Sequence, residues 1–136
     1  MKRCEMNKSV DIIIPTYRPD ESVVYLMKKL LKQTYPIHEI HIIDTETGIF
    51  PKELKNLSDK IRISKITPEQ FDHGGTRHEG AMQSHADIII YMTQDAMPVN
   101  EYLIEELVKA FDNEKIAAAY ARQLPNSKCN VIERYT

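Results

Sequence analysis

Three short apolar runs, each broken off by polar residues, constrain this chain more than any other feature. Val10-Asp11-Ile12-Ile13-Ile14 ends in Pro15-Thr16-Tyr17-Arg18, and Ile40-His41-Ile42-Ile43 ends in Asp44-Thr45. Ile88-Ile89-Ile90-Tyr91-Met92 ends in Thr93-Gln94-Asp95-Ala96. Runs of this length and β-branched content, set between helical patterns, read as buried strands. A buried strand that stops at a carboxylate holds it at the mouth of an α/β sheet, where ligands gather outside the carboxyl ends of the strands. Three strands therefore bring polar residues to one edge. Such an edge suits a nucleotide, with Asp95 placed to hold its metal.

The stretches between the runs are helical. Asp20 or Ser22 can cap a helix with apolar positions Val23, Leu26, Met27, Leu30 and Leu31, while Lys28, Lys29 and Lys32 fall on the wet side. Pro36 biases Tyr35 away from helical geometry and marks the stop before a strand over Glu39 to Asp44. Pro51 fits the first turn of a short helix carrying Leu54 and Leu57. Ile61-Arg62-Ile63-Ser64-Lys65-Ile66 alternates strictly, the pattern of a strand with one exposed face at a sheet edge. A loop through Phe71-Asp72-His73-Gly74-Gly75 is expected to precede a helix from about Thr76 to Ala86, then a strand from Asp87 to Met92. Pro98-Val99-Asn100 is expected to open a helix with the stripe Leu103, Ile104, Leu107, Val108 and Phe111. A last strand is expected over Ile116 to Ala121, before Arg122-Gln123-Leu124-Pro125.

Strand and helix thus alternate without repeats. The order predicts an α/β fold of three layers, α/β/α, around a mostly parallel, doubly wound sheet. No internal boundary is visible, so residues 1–136 read as a single domain. Asn126 to Thr136 carries no clear element and follows directly on a strand, which reads as the N-terminal part of a longer chain.

Composition narrows the partners. With 136 residues, 42% of them hydrophobic, the chain can build one real core. A net charge of -2 implies no general attraction to nucleic acid or anionic lipid. Cys4 and Cys129 lie at opposite ends without metal-ligand spacing and read as free thiols of a reducing compartment. The basic start Met1-Lys2-Arg3 is followed by no apolar signal region, and no apolar run is long enough to span a bilayer. These features point to a cytoplasmic protein with no transmembrane segment.

Three motifs carry chemistry. Hard cations such as Mg²⁺ or Mn²⁺ take one or two protein carboxylates and fill their shell with substrate phosphates, so Asp95 alone can suffice. Equally, Asp95 fits a residue capping the turn towards Pro98, and spacing does not separate the two readings. Asp44 can accept from the imide N–H of a uracil or thymine ring, or from ribose hydroxyls. Taken by itself in Asp44-Thr45-Glu46-Thr47-Gly48, it is more simply a turn residue. Gly74-Gly75 before a helix permits close approach of backbone to an anion, and Arg77, placed against the helix dipole, points to a phosphate or a nearby aspartate. His73, His78 and His85 do not share a helical face, which argues against zinc. Neither a GxxxxGK[ST] loop nor a GxGxxG after the first strand is present, nor a Gly-x-Ser-x-Gly elbow.

Together these segments resemble the inverting family 2 glycosyltransferases of GT-A fold, in particular their bacterial rhamnosyltransferase-like branch. The resemblance runs from about Val10 to Pro125, and its specific parts are Phe71-Asp72-His73-Gly74-Gly75-Thr76-Arg77 and Thr93-Gln94-Asp95-Ala96-Met97-Pro98. It implies that Pro15, Thr16, Tyr17 and Arg18 line the pocket for the donor's base, that Asp44 binds the base imide, and that Gly75 and Arg77 lie near base and diphosphate. The family's Asp-x-Asp metal motif falls on Thr93-Gln94-Asp95, keeping the carboxylate that usually binds Mg²⁺ or Mn²⁺ and replacing the first with threonine. The implied donor is a nucleoside-diphosphate sugar, with dTDP-rhamnose suggested by the branch. The implied acceptor is a glycan or lipid-linked precursor of a cell-surface polysaccharide, reached by a full-length enzyme associated peripherally with the membrane. The family's catalytic base is a carboxylate well beyond the metal motif, and only Glu133 remains here, without the matching context. The catalytic residue is therefore unassigned. The alternative is a truncated domain that binds nucleotide sugar without turnover.

Overall fold

The computed structural model describes residues 8–113 together with 115, 116 and 118. Four strands, β1 (Val10–Tyr17), β2 (Glu39–Thr45), β3 (Ile61–Ile66) and β4 (Ile88–Tyr91), form one sheet in the order β3-β2-β1-β4. Every pairing is parallel. The three apolar runs that end in polar residues are thus side by side, and the alternating segment lies at an edge, as its pattern predicts. The strand expected over Ile116–Ala121, the segment Arg122–Pro125, Glu133 and both cysteines lie outside the described residues, Ile116 and Ala118 excepted.

Side-chain alternation along a strand divides the sheet into two unlike faces. On one, Ile12, Ile14, Ile40 and Ile42 join a dry cluster with Val23, Leu26, Met27 and Leu30 of α1 (Glu21–Leu31) and Ile104 and Val108 of α3 (Leu103–Lys109). Asp20 caps α1, its carboxylate accepting from the Ser22 backbone N–H at 2.9 Å. On the other face α2 (His73–Met82) packs over β1 and β2. Gly80 makes that approach possible, because a Cβ there would stand 3.0 Å from Ile13 and 3.1 Å from Ile43.

Several element boundaries differ from expectation. Helix α2 begins at His73 rather than Thr76 and stops at Met82 rather than Ala86. Asp72 is its N-cap, accepting from the Gly75 N–H at 2.6 Å, so Gly74 and Gly75 form the first helical turn instead of a loop. Helix α3 starts at Leu103 rather than Pro98, since Asn100 Oδ1 accepts from the Tyr102 N–H and closes a turn there. Strand β1 runs on through Pro15 to Tyr17. The Ile13 carbonyl accepts from Met92 N–H, so positions 13 and 15 face the β4 side. By Pro15 that neighbour's paired segment has ended, and the missing N–H leaves no ladder bond unmade.

Candidate functional site: a cleft at the carboxyl edge of the sheet

Where β1, β2 and β4 end, they and the start of α2 enclose a cavity of about 380 Å³. Pro15, Thr16 and Tyr17 supply the β1 wall, Thr45 the β2 wall, and Thr93 and Gln94 the β4 side. Pro68, Phe71, His73 and Arg77 close it from the α2 side. Six residues singled out from sequence therefore meet in one place. Thr45, Pro68, Phe71 and His73 were not singled out as site residues. The signal for Phe71 and His73 lay in their position just ahead of the glycine pair.

Two internal contacts shape the cleft. The Tyr17 N–H donates to Gln94 Oε1 at 2.6 Å and ties the end of β1 to the turn after β4. Phe71 and His73 meet edge to face, with ring centroids 4.8 Å apart. With two proline rings and Tyr17, they make the cavity mostly apolar and flat-walled, a shape that accepts a planar base. Arg77 donates from one guanidinium nitrogen to the His73 carbonyl at 2.9 Å. Among the described residues it forms no ion pair, so its charge remains open to an anion at the cavity.

Four of the expected site residues do not line the cavity. Arg18 stands beside it with a left-handed backbone, φ 49°, and its guanidinium 5.5 Å from the Tyr17 ring. Gly75 is inside the first turn of α2, its N–H already given to Asp72. Asp44 is fully buried, accepting from the Thr16 hydroxyl at 2.7 Å and from Lys65 Nζ at 3.1 Å.

Asp95 is exposed, in the turn that the Ala96 N–H closes onto the Thr93 carbonyl. Its carboxylate makes no hydrogen bond or ion pair among the described residues, so it is not the cap of the turn towards Pro98. No cluster of three or more histidine, cysteine or acidic side chains able to hold a metal occurs among the described residues. The donor set here is one free carboxylate, with the Thr93 hydroxyl two residues before it. That set fits a hard cation held jointly with a diphosphate, and does not fit a fully protein-bound ion.

Comparisons with known proteins agree with this geometry. The chain is 34% identical over 128 residues to the O-antigen chain rhamnosyltransferase RfbN of Salmonella typhimurium, covering 90% of this chain and 40% of the relative. It is 31% identical over 137 residues to hyaluronan synthase of Streptococcus pyogenes, covering 93% of this chain and 32% of that protein. The chain thus spans two fifths or less of these relatives' length. Among solved structures, the mannosyltransferase PcManGT of Pyrobaculum calidifontis, in complex with GDP-Man and Mn²⁺, superposes with a TM-score of 0.68 at 16% identity. That match covers 79% of this chain and 33% of PcManGT, and it bears on the fold, which is that of GT-A glycosyltransferases. No helix among the described residues is long and apolar enough to cross a membrane. The profile of "Glycosyl transferase family 2" matches residues 11–136, and the chain belongs to that family, with similarity to its rhamnosyltransferases.

Proposed function

We propose that this chain binds the donor of a glycosyl transfer, a nucleoside-diphosphate sugar, in the cleft at the carboxyl edge of the sheet. The observation that carries the reading is the cleft itself: flat apolar walls for a base, bordered by the open charge of Arg77 and the free carboxylate of Asp95. The donor-binding set read from sequence fits this placement. Pro15, Thr16, Tyr17, Arg77, Thr93 and Gln94 act at the cavity, while Arg18, Asp44, Gly75 and Asp95 act from its margins. Arg77 neutralises and orients the diphosphate. Asp95, with Thr93 beside it, would hold Mg²⁺ or Mn²⁺ jointly with the diphosphate, and the presence of Mn²⁺ with GDP-Man in PcManGT, of the same fold, supports a divalent cation. A bound cation supplies charge neutralisation as the diphosphate leaves.

The finer assignment is dTDP-rhamnose as donor and a cell-surface polysaccharide or lipid-linked glycan as acceptor, on the cytoplasmic side. A full-length enzyme would meet that acceptor by peripheral association with the membrane. Similarity to RfbN, an O-antigen chain rhamnosyltransferase, supports the sugar and a glycan chain as acceptor. Inverting transfer requires a base within hydrogen-bond reach of the acceptor hydroxyl. No acidic side chain lines the cavity. We therefore assign the base to a residue outside the described ones. Titration calorimetry with UDP and dTDP tests the reading. Affinity should rise when Mn²⁺ is added, and Asp95→Ala should remove that rise while leaving thermal unfolding unchanged. Equal enhancement in the variant rejects Asp95 as the metal ligand.

A further inference from the structure

Asp95 is the free carboxylate of the site, yet it stands in an exposed turn rather than on a strand. The last bond of this arm to the sheet backbone runs from Met92 N–H to the Ile13 carbonyl. Beyond it, the bond from Ala96 N–H to the Thr93 carbonyl at 3.1 Å closes a four-residue turn on itself. At the end of the turn, Ala96 packs against the hydrophobic core. Among the described residues, one hydrogen bond joins the turn to another element: Gln94 Oε1 accepts from the Tyr17 N–H at 2.6 Å.

The register explains why that N–H is on offer. Tyr17 continues positions 13 and 15, which face the β4 side, but Ile13 is the last residue of β1 paired with β4. A strand partner for the Tyr17 N–H is therefore missing, and the Gln94 side chain stands in for one. A backbone N–H only donates, so the amide oxygen of Gln94 must be the end turned to β1. Gln94 and Asp95 are the two corner residues of the turn, joined by one rigid peptide. Holding the first therefore limits how far the second can swing.

We infer that Gln94 is a positioning residue: its bond to the Tyr17 N–H fixes the corner that carries Asp95, and so makes that carboxylate competent to share a divalent cation with a diphosphate. The inference rests on the donor-binding reading of the cleft and goes beyond it by naming what aims the carboxylate. A small hard cation keeps its oxygens at about 2.0–2.1 Å and tolerates little error in their placement. Where the protein offers one carboxylate, the aim of that group decides its whole share of the affinity. Partners that orient a metal ligand are typically worth about 10- to 100-fold in metal affinity. Length and chemistry of the side chain both matter to this role. Asparagine has the same amide but is one methylene too short, whereas glutamate keeps the reach and the acceptor.

Calorimetry of UDP with and without Mn²⁺ on the 136-residue chain gives an affinity ratio that reads the cation, because any change in metal-free binding divides out. Gln94→Met and Gln94→Asn should each cut that ratio by about tenfold, or to one where the wild-type ratio is smaller. Gln94→Glu should keep it. Amide exchange followed by NMR should show the Tyr17 N–H protected in the wild type and in Gln94→Glu, and fast in the other two variants. A merely structural role for Gln94 would lower the melting temperature and leave the ratio intact. A ratio kept by Gln94→Met overturns the inference, as does Tyr17 exchange that is as slow in Gln94→Met as in the wild type. Should Gln94→Met not fold, the other two variants decide: a ratio kept in Gln94→Asn, or lost in Gln94→Glu, overturns it. A wild type whose UDP affinity does not rise with Mn²⁺ refutes the cation reading of Asp95 and this inference with it. A rise that survives loss of the Gln94 bond refutes the inference alone.

Discussion

Two polar regions of this sheet use the same kinds of residue and treat them in opposite ways. Under α2, towards the amino ends of the strands, Asp11 accepts from Ser84 Oγ at 2.6 Å and meets His38 Nδ1 at 2.8 Å. Beside it Arg62 joins Glu39, Gln83 and His41, and His41 reaches Ser64. Every buried side-chain polar atom among the described residues has a partner. At the carboxyl edge, by contrast, Asp95 and Arg77 keep charge that no counter-charge among the described residues answers. The difference teaches how to recognise a site: a closed network holds the protein together, whereas an open one awaits a ligand. Residue type does not distinguish them, and only the accounting of partners does.

That contrast can be broken by substitution. The largest effect is expected in the closed region. Asp11→Ala removes two hydrogen bonds from a buried position and should lower unfolding free energy by about 2 kcal/mol in denaturant titrations. Nucleotide affinity of the folded fraction should stay unchanged, and a loss of affinity larger than the loss of stability would erase the distinction. Next comes the open region. Arg77→Gln should weaken UDP binding about tenfold, or about 1.4 kcal/mol, with unfolding within about 0.5 kcal/mol of wild type. A variant that melts early yet binds normally would move Arg77 into the structural class.

The smallest effect sharpens the comparison through pH. Arginine only donates, so the 3.1 Å contact from Arg62 makes His41 Nδ1 an acceptor and leaves the proton on Nε2, which donates to Ser64. Burial, and then the Arg62 charge, push the His41 imidazole below its ordinary value. The unfolded chain therefore binds this proton first as pH falls. His41 contributes stability in full above the unfolded value near ~6.5, and that contribution is lost as pH drops below it towards the folded value. Linkage limits the loss to about 1.4 kcal/mol per pH unit over that window. Unfolding of wild type and His41→Gln at pH 7.5 and 5.5 should show the pH dependence shrinking in the variant; an identical slope would remove His41 as its source.

Much of this was legible in the sequence. Apolar runs of four or five residues between helical stripes gave the parallel sheet, and their polar ends gave five of the cavity residues, with Arg77 coming from the segment after the glycine pair. The glycines were harder. Gly74 and Gly75 suggested a loop shaped for an anion, whereas Asp72, three residues before Gly75, uses that N–H as its cap, and a Cβ on Gly75 would stand 2.7 Å from Asp72 Oδ2. Gly80 stood unnoticed within a helical pattern although it sets the height of α2 above the sheet. Asp11 and His41 lay within apolar runs and received no role of their own, and Arg62 was read only as part of the exposed face of an edge strand. Their alternate spacing in neighbouring strands was the available sign of a shared polar face, but it becomes visible only when the register is known. The fate of Asp44, buried against Lys65, depended on that register too.

The bond from Tyr17 N–H to Gln94 Oε1 has a kinetic side. It joins two segments 77 residues apart, so the arm bearing Thr93 and Asp95 is already anchored to the β1 wall of the cavity. A nucleotide spanning the two would find its contacts pre-arranged, and less ordering entropy would be lost on association. Capture should then proceed as a lock closing on a key that fits, with the arrival rate set by diffusion and charge rather than by a loop that must first fold down.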